Sequence, residues 1–478
     1  MSEKQCGASA NLANARRPDL IIRGGRVVLP DGVADADLFI SSGRIERVAS
    51  CAAPVGGASR TIEAAGLLVL PGAVDAHVHT RDPGQRHKED YAHATRAAAS
   101  GGVTTIIAQP NTEPPATSLP GWAATIEAAK ASRVDYAVCA GIRAIEPDQR
   151  SVAALAHAGA VAFEVLGDTA ALTDDGWCRV FEAAAPSRLP LSMLAADRSS
   201  MNRNTAAMRA AGGNPWSSMG AIVDSQAEVR GYRRAVAMSR RFGVPLIVRQ
   251  VTTAEGLDFL RSAKREPAPA PLWVEVNVHH LFLSGRDRDR LGPFAHMLPP
   301  LRDERDITAL WQGVRDGTVD FISSDHAPHT REEKEAGRED PWTTPSGIPG
   351  VETMVRLLLD AALSDRISLE RLSEVIARVP ARVHRLRAKG NIAEGNDADI
   401  VLADPDAEWI VTSDRLFSRC GWSAFEGWRG RGVPRMTLLR GVVIASDGIP
   451  LDQPLGRMLL PEIVCGQSLR GQRNSQSE

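Results

Sequence analysis

Between residues 67 and 323, short continuous apolar runs alternate with longer stretches whose apolar positions recur every three or four residues. The runs are Leu67–Val74, Val103–Ala108, Val134–Ala140, Ala160–Val165, Leu189–Leu194, Val244–Val248, Trp273–Val278 and Val319–Ser323. Each has the length and continuity of a strand buried on both faces. The stretches between them include Asp90–Ser100, Ala123–Ser132, Ser225–Phe242, Ala254–Ala263 and Asp306–Arg315, which predict helices with one face against the strands. Eight strands alternating with helices predict an α/β fold, a (β/α)8 TIM barrel, whose chemistry sits at the C-terminal ends of the strands.

The pattern changes on either side. Leu20-Ile21-Ile22, Arg26-Val27-Val28, Leu38-Phe39-Ile40 and Arg44 to Val48 are β-type runs, with Asp31-Gly32 and Ser42-Gly43 as turns between them. Similar runs return at Asp399–Ala403 and Met436–Ile444. These segments predict a small β-sandwich domain built from both termini, with 19–70 and 390–460 flanking a barrel at 71–389. Residues 1–18 and 461–478 are polar or low in periodicity and are expected to be disordered tails.

A chain of 478 residues with 43% hydrophobic residues can bury one barrel and a smaller domain. Its net charge of −2 gives no reason to expect nucleic acid or an anionic membrane as partner. No apolar run approaches the ~20 residues that span a bilayer. The six cysteines are scattered without CxxC spacing and no secretory signal is evident, so a reduced cytoplasm is expected. A small-molecule substrate remains as the expected ligand.

The first run leads into Ala73-Val74-Asp75-Ala76-His77-Val78-His79-Thr80-Arg81-Asp82-Pro83-Gly84. Alternation along a strand puts His77, His79 and, if extended geometry continues, Arg81 on one side. Two imidazoles so spaced can chelate one divalent metal, and a guanidinium beside them suits a carboxylate. The eighth run ends Ser323-Ser324-Asp325-His326-Ala327-Pro328-His329, and the second ends Gln109-Pro110-Asn111-Thr112. Read from the residues alone, Asp325 serves equally as a turn cap and Asn111 as a turn former.

Together these motifs resemble the dihydroorotase branch of the amidohydrolase superfamily, and the likeness runs from about Leu20 to Val443. The resemblance implies that Asp325 is a metal-bound general acid/base, that His77 and His79 are metal ligands, and that Arg81, Asn111 and His329 clamp a substrate carboxylate. It also exposes departures. The fourth run carries Glu164 where the family has a carboxylated lysine, and no lysine occurs between Lys130 and Lys264. A glutamate falls roughly 3–4 Å short of a lysine carbamate at ordinary bond lengths. It is expected to ligate one metal, the alternative being a salt bridge within the barrel. Leu194 and Gln250 stand where the family has metal-binding histidines, and no histidine occurs between His157 and His279. Leu298 replaces an asparagine that contacts the ring. His279 and His280 either serve the site or only orient the seventh strand's loop.

The resemblance therefore implies a metal-dependent hydrolase of pyrimidine-metabolism type. It acts on a cyclic amide bearing a carboxylate, such as dihydroorotate or N-carbamoyl-aspartate in reverse. One divalent ion per chain, expected to be zinc, is held by His77, His79, Glu164 and Asp325. Of Arg249 and Gln250, alternation points one inward, and Gln250 is expected to donate to the substrate as a weak oxyanion donor. Two other readings stand beside this one: an inactive scaffold packed against an aspartate carbamoyltransferase, and a hydantoinase- or allantoinase-like ring-opening enzyme. Assembly as a homo-oligomer is expected.

Overall fold

The computed structural model describes residues 17–50, 58–167, 169, 172–213 and 215–462. Eight strands lie side by side in chain order: Ala73–Val78, Val103–Ala108, Asp135–Arg143, Ala162–Leu166, Leu191–Met193, Leu246–Val248, Leu272–Asn277 and Phe321–Ser323. Every neighbouring pair is parallel. The ring closes where Val78 bridges His326, with His79 N donating to His326 O at 2.8 Å and His326 N to His77 O at 3.2 Å. Closure therefore runs through the histidine motif itself.

Helices follow where the apolar spacing predicts them, and small polar residues start them. Asp90 caps Tyr91–Ser100, Asp224 caps Ser225–Phe242 and Thr253 caps Ala254–Arg265, each accepting a backbone N–H of the first turn. Gly243, left-handed at φ 63°, ends Ser225–Phe242. The main core lies between strands and helices. A separate cluster joins Val74, Ile107, Ala137, Ile247 and Phe321 of the barrel strands to Val379, Ala381 and Val383.

A nine-stranded, mostly antiparallel sheet is built from both ends of the chain. Leu68–Pro71 sits at its centre, parallel to Leu20–Leu29 on one side and antiparallel to Ile400–Ile410 on the other. The run expected as one strand, Leu67–Val74, is thus two. Leu68–Pro71 belongs to this sheet and Ala73–Val78 to the barrel, with Gly72 between them. Both pieces are buried, so hydropathy alone does not reveal the change of sheet. A side chain at Gly72 would lie 2.2 Å from Thr104 Oγ1, so the crossing requires glycine.

Lys389 ties sheet to barrel. Its ammonium donates to Asp135 at 2.6 Å and Asp399 at 2.7 Å and lies 2.9 Å from Asp397, while Arg440 also pairs with Asp135. The terminal segments expected as tails fall almost entirely outside the described residues, as do Cys6, Cys51 and Cys465. Cys139, Cys178 and Cys420 are free thiols. Among the described residues no helix is long and apolar enough to cross a membrane.

Candidate active site

His77 lies in the first barrel strand and His79 just beyond it, and both rings turn toward Asp325 at the end of the eighth. His77 Nε2 and His79 Nε2 each lie 3.2 Å from Asp325 Oδ1. Their other nitrogens are already tied: His77 Nδ1 to Glu275 Oε1 at 2.8 Å and His79 Nδ1 to Asn111 Oδ1 at 2.8 Å. Both partners are acceptors, so the Nδ1 atoms donate; each Nε2 then donates to Asp325 where its ring is protonated, and turns a lone pair to a bound cation where its ring is neutral. Against its burial, the Asp325 carboxylate and then Glu275 raise the His77 pKa. Two imidazoles and a carboxylate so placed can share one cation. His77, His79 and Asp325 are one of the groups able to hold a metal ion, and Glu275 and Asn111 orient the rings as outer partners do at metal centres.

The electrostatics agree with this donor set. Burial opposes charge on Asp325, but His77 and His79 outweigh it and hold its carboxyl well below the usual range. Burial likewise opposes charge on Glu275, which His77 keeps ionised, with Ser323 Oγ adding a hydrogen bond. Burial lowers His79. Buried carboxylates of this kind demand compensation, and a divalent ion supplies it.

Asp325 is held from its far side as well. Gln250 Nε2 donates to Asp325 Oδ2 at 2.5 Å and Asn277 Nδ2 to the same oxygen at 3.0 Å. The amide of Gln250 also reaches Leu298 O at 3.4 Å. Its amide thus faces Asp325 and Leu298 O, where an oxyanion donor was expected. Asp325, Gln250 and Arg81 all have left-handed backbones, at φ 41°, 56° and 58°. Non-glycine residues adopt this conformation at a cost, and such strain gathers at functional sites.

The expectation that only one of Arg249 and Gln250 turns inward is also corrected. Strand geometry ends at Val248, so alternation no longer governs the two residues. Arg249 Nη1 donates to Gln109 Oε1 at 2.6 Å and Nη2 to Glu164 Oε1, across to the second and fourth strands. Glu164 thus sits in a salt bridge with Arg249 and outside the His77–His79–Asp325 group.

The three clamp candidates divide. Arg81 Nη2 lies 3.2 Å from His329 Nε2, and Arg81 Nε donates to Pro328 O at 3.1 Å. Arg81 does not continue the extended strand; its positive φ swings the guanidinium toward the last strand's loop. Burial brings its pKa down to about 10, leaving it charged at neutral pH. Burial and the Arg81 charge depress His329 to about 2, so its ring is neutral. Asn111 is exposed and is engaged with His79. His279 and His280 are buried in a short helix, Val278–Phe282; His280 Nε2 donates to Pro299 O at 3.1 Å.

Glu275, Asn277 and Gln109 are the site residues that sequence reasoning missed, and Arg249 is the one it weighed and set aside for Gln250. Glu275 and Asn277 had a signal, two polar residues at alternate positions in an otherwise apolar strand, Leu272–Asn277. Gln109 and Arg249 had only their place directly after an apolar run.

The sequence matches two family profiles, one described as Dihydro-orotase-like over residues 66–177 and one as Amidohydrolase family over 284–444. A dihydroorotase of Halobacterium salinarum is 38% identical over 91% of this chain and 95% of its own. An allantoinase of Rubrobacter xylanophilus is 34% identical over 93% and 98%. Among solved structures, L-hydantoinase (dihydropyrimidinase) from Arthrobacter aurescens superposes with a TM-score of 0.87 at 29% identity, covering 92% of this chain and 99% of that one.

Proposed function

This chain belongs to the amidohydrolase family as a dihydroorotase-like member, and from that premise we propose that it hydrolyses or closes a cyclic amide bearing a carboxylate, using one divalent ion per chain. The observation that carries the reading is the convergence of His77 Nε2, His79 Nε2 and Asp325 Oδ1 beside the buried guanidinium of Arg81. Two nitrogens and one carboxylate leave a fourth position open, a pattern that suits Zn²⁺. An ion there supplies a Lewis acid and lowers the pKa of water near it.

The chain's own residues do the rest. Asp325 accepts the proton of the attacking water and returns it to the ring nitrogen as the C–N bond breaks. Gln250 and Asn277 donate to its second oxygen and fix the carboxylate's orientation. Arg81 and His329, with Asn111 at the rim, hold the carboxylate and fix the ring's orientation. Glu164 remains with Arg249 and outside the ligand set. The free thiols of Cys139, Cys178 and Cys420 suit a reducing compartment such as the cytoplasm.

A ring without a carboxylate, as in a hydantoinase or allantoinase, is the second reading, favoured by Leu298 near Gln250. Its weakness is that Arg81 then has no anion to bind. An inactive scaffold for a carbamoyltransferase would likewise leave the His77–His79–Asp325 group without a use. The test is steady-state turnover of dihydroorotate, N-carbamoyl-aspartate, hydantoins and allantoin by Zn²⁺-, Mn²⁺- or Co²⁺-loaded protein. Asp325→Asn is expected to abolish turnover while sparing binding of orotate-like ligands. If loaded wild type turns over none of them above the Asp325→Asn control, the hydrolase reading fails and the scaffold reading replaces it.

A further inference from the structure

Glu164 lies on the fourth barrel strand, and Leu194 and Gln250 lie just past the ends of the fifth and sixth. With Arg249 in place they offer a second ion only one free oxygen: Leu194 is a hydrocarbon, Gln250 is spent on Asp325 and Leu298, and Glu164 keeps Oε2 alone, its Oε1 being paired with Arg249. The residues do not fit a second metal. We infer that the buried guanidinium of Arg249 is a resident cation that stands in for a second ion, so that this site admits one divalent ion and excludes another. This inference rests on the single-ion reading above and gives its cause.

The geometry is that of a fixed charge. Arg249 is 4% exposed, and its side chain meets carboxylate and amide oxygens from two other strands, Glu164 and Gln109. A guanidinium stays protonated, and its planar fork is pre-ordered, so it cannot leave the site as an ion can. Cys139, the nearby thiol of the third strand, is pushed out of reach of ionisation chiefly by burial and secondarily by Glu164, so it does not compete for a metal. A second divalent ion brought beside this guanidinium meets like charge in a dry environment, where repulsion is strong. Glu164 Oε2 and Arg249 Nε are buried without protein partners, so removing the guanidinium leaves a carboxylate with both oxygens available.

Titration of the chelator-stripped full chain with Co²⁺, read by d–d absorption and elemental analysis, tests this without reference to turnover. Wild type and Arg249→Lys are expected to saturate at one ion per chain. Arg249→Met and Arg249→Gln, which lose the charge and free both Glu164 oxygens and Gln109 Oε1, three oxygen donors in all, are expected to take a second ion. The Arg249→Gln amide can still donate to Glu164 and guards against failure of the Met variant to fold, which circular dichroism checks. The pair-deleted Arg249→Met/Glu164→Leu returns to one. Two ions in wild type overturn both the inference and the single-ion reading. One ion in the folded Arg249→Met and Arg249→Gln variants overturns the inference alone. Absence of turnover in wild type concerns the hydrolase reading and leaves the ion count standing.

Discussion

Arg81 shows how much one residue carries at this site. Its guanidinium is buried, held at Nε by Pro328 O and set against a neutral His329. Arg81→Lys keeps the charge but loses the fork, so affinity for an orotate-like ligand is expected to fall by ~1.5–3 kcal/mol, measured by calorimetry. Glu275 acts at one remove, through His77 Nδ1. Glu275→Gln is expected to weaken Zn²⁺ binding about 10- to 100-fold in competition with a chromogenic chelator, as loss of outer partners does elsewhere; unchanged affinity would mean that the ring needs no such anchor. That His77 and His79 meet Asp325, and Arg81 meets His329, was legible in the sequence because the two motifs that carry them are local and end neighbouring strands. The partnership of Glu164 with Arg249 was not, because it joins residues from strands distant in sequence and depends on where Val248 ends its strand. Alternation describes side chains only while the backbone stays extended, and Arg81, Gln250 and Asp325 all leave it.

At the level of elements, the eight strands and the helices between them followed from apolar spacing, and capping residues set the helix starts. The break at Gly72 did not follow, because a buried run looks the same in either sheet. A loop between the last barrel strand and helix Met354–Leu363 shows another feature that composition hides. Glu352 there is buried, accepts Phe417 N at 2.9 Å, and is raised by burial from 4.5 to about 7. A carboxyl with a raised pKa binds its proton more tightly in the folded chain than in the unfolded one. Its contribution is therefore full below about pH 4.5 and declines as pH rises toward about 7. Glu352→Gln is expected to remove that decline, a difference on the order of 3 kcal/mol at most, seen as a flatter dependence of the urea midpoint on pH between 5 and 8. A slope equal to wild type would show that Glu352 stays ionised throughout.

For the whole molecule, the sheet and the barrel are joined by buried charge as well as by apolar packing. Lys389 neutralises Asp135 of the barrel and Asp397 and Asp399 beside the sheet. Lys389→Met leaves these carboxylates uncompensated and is expected to cost ~3–5 kcal/mol of stability, measured by denaturant unfolding. A loss under 1 kcal/mol would mean that Arg440 suffices.

The central strand of that sheet, Leu68–Pro71, has a further consequence for how the protein is made. Its neighbour on one side, Leu20–Leu29, precedes it, while its neighbour on the other, Ile400–Ile410, emerges only after all eight barrel strands. During synthesis the backbone groups and apolar side chains of Leu68, Val69 and Leu70 have an open edge while the barrel is being completed. An open apolar edge invites chaperones or aggregation. A nascent chain stalled before Ile400 is therefore marked as unfinished by its own first sheet, and the arrival of Ile400–Ile410 is what hides the mark.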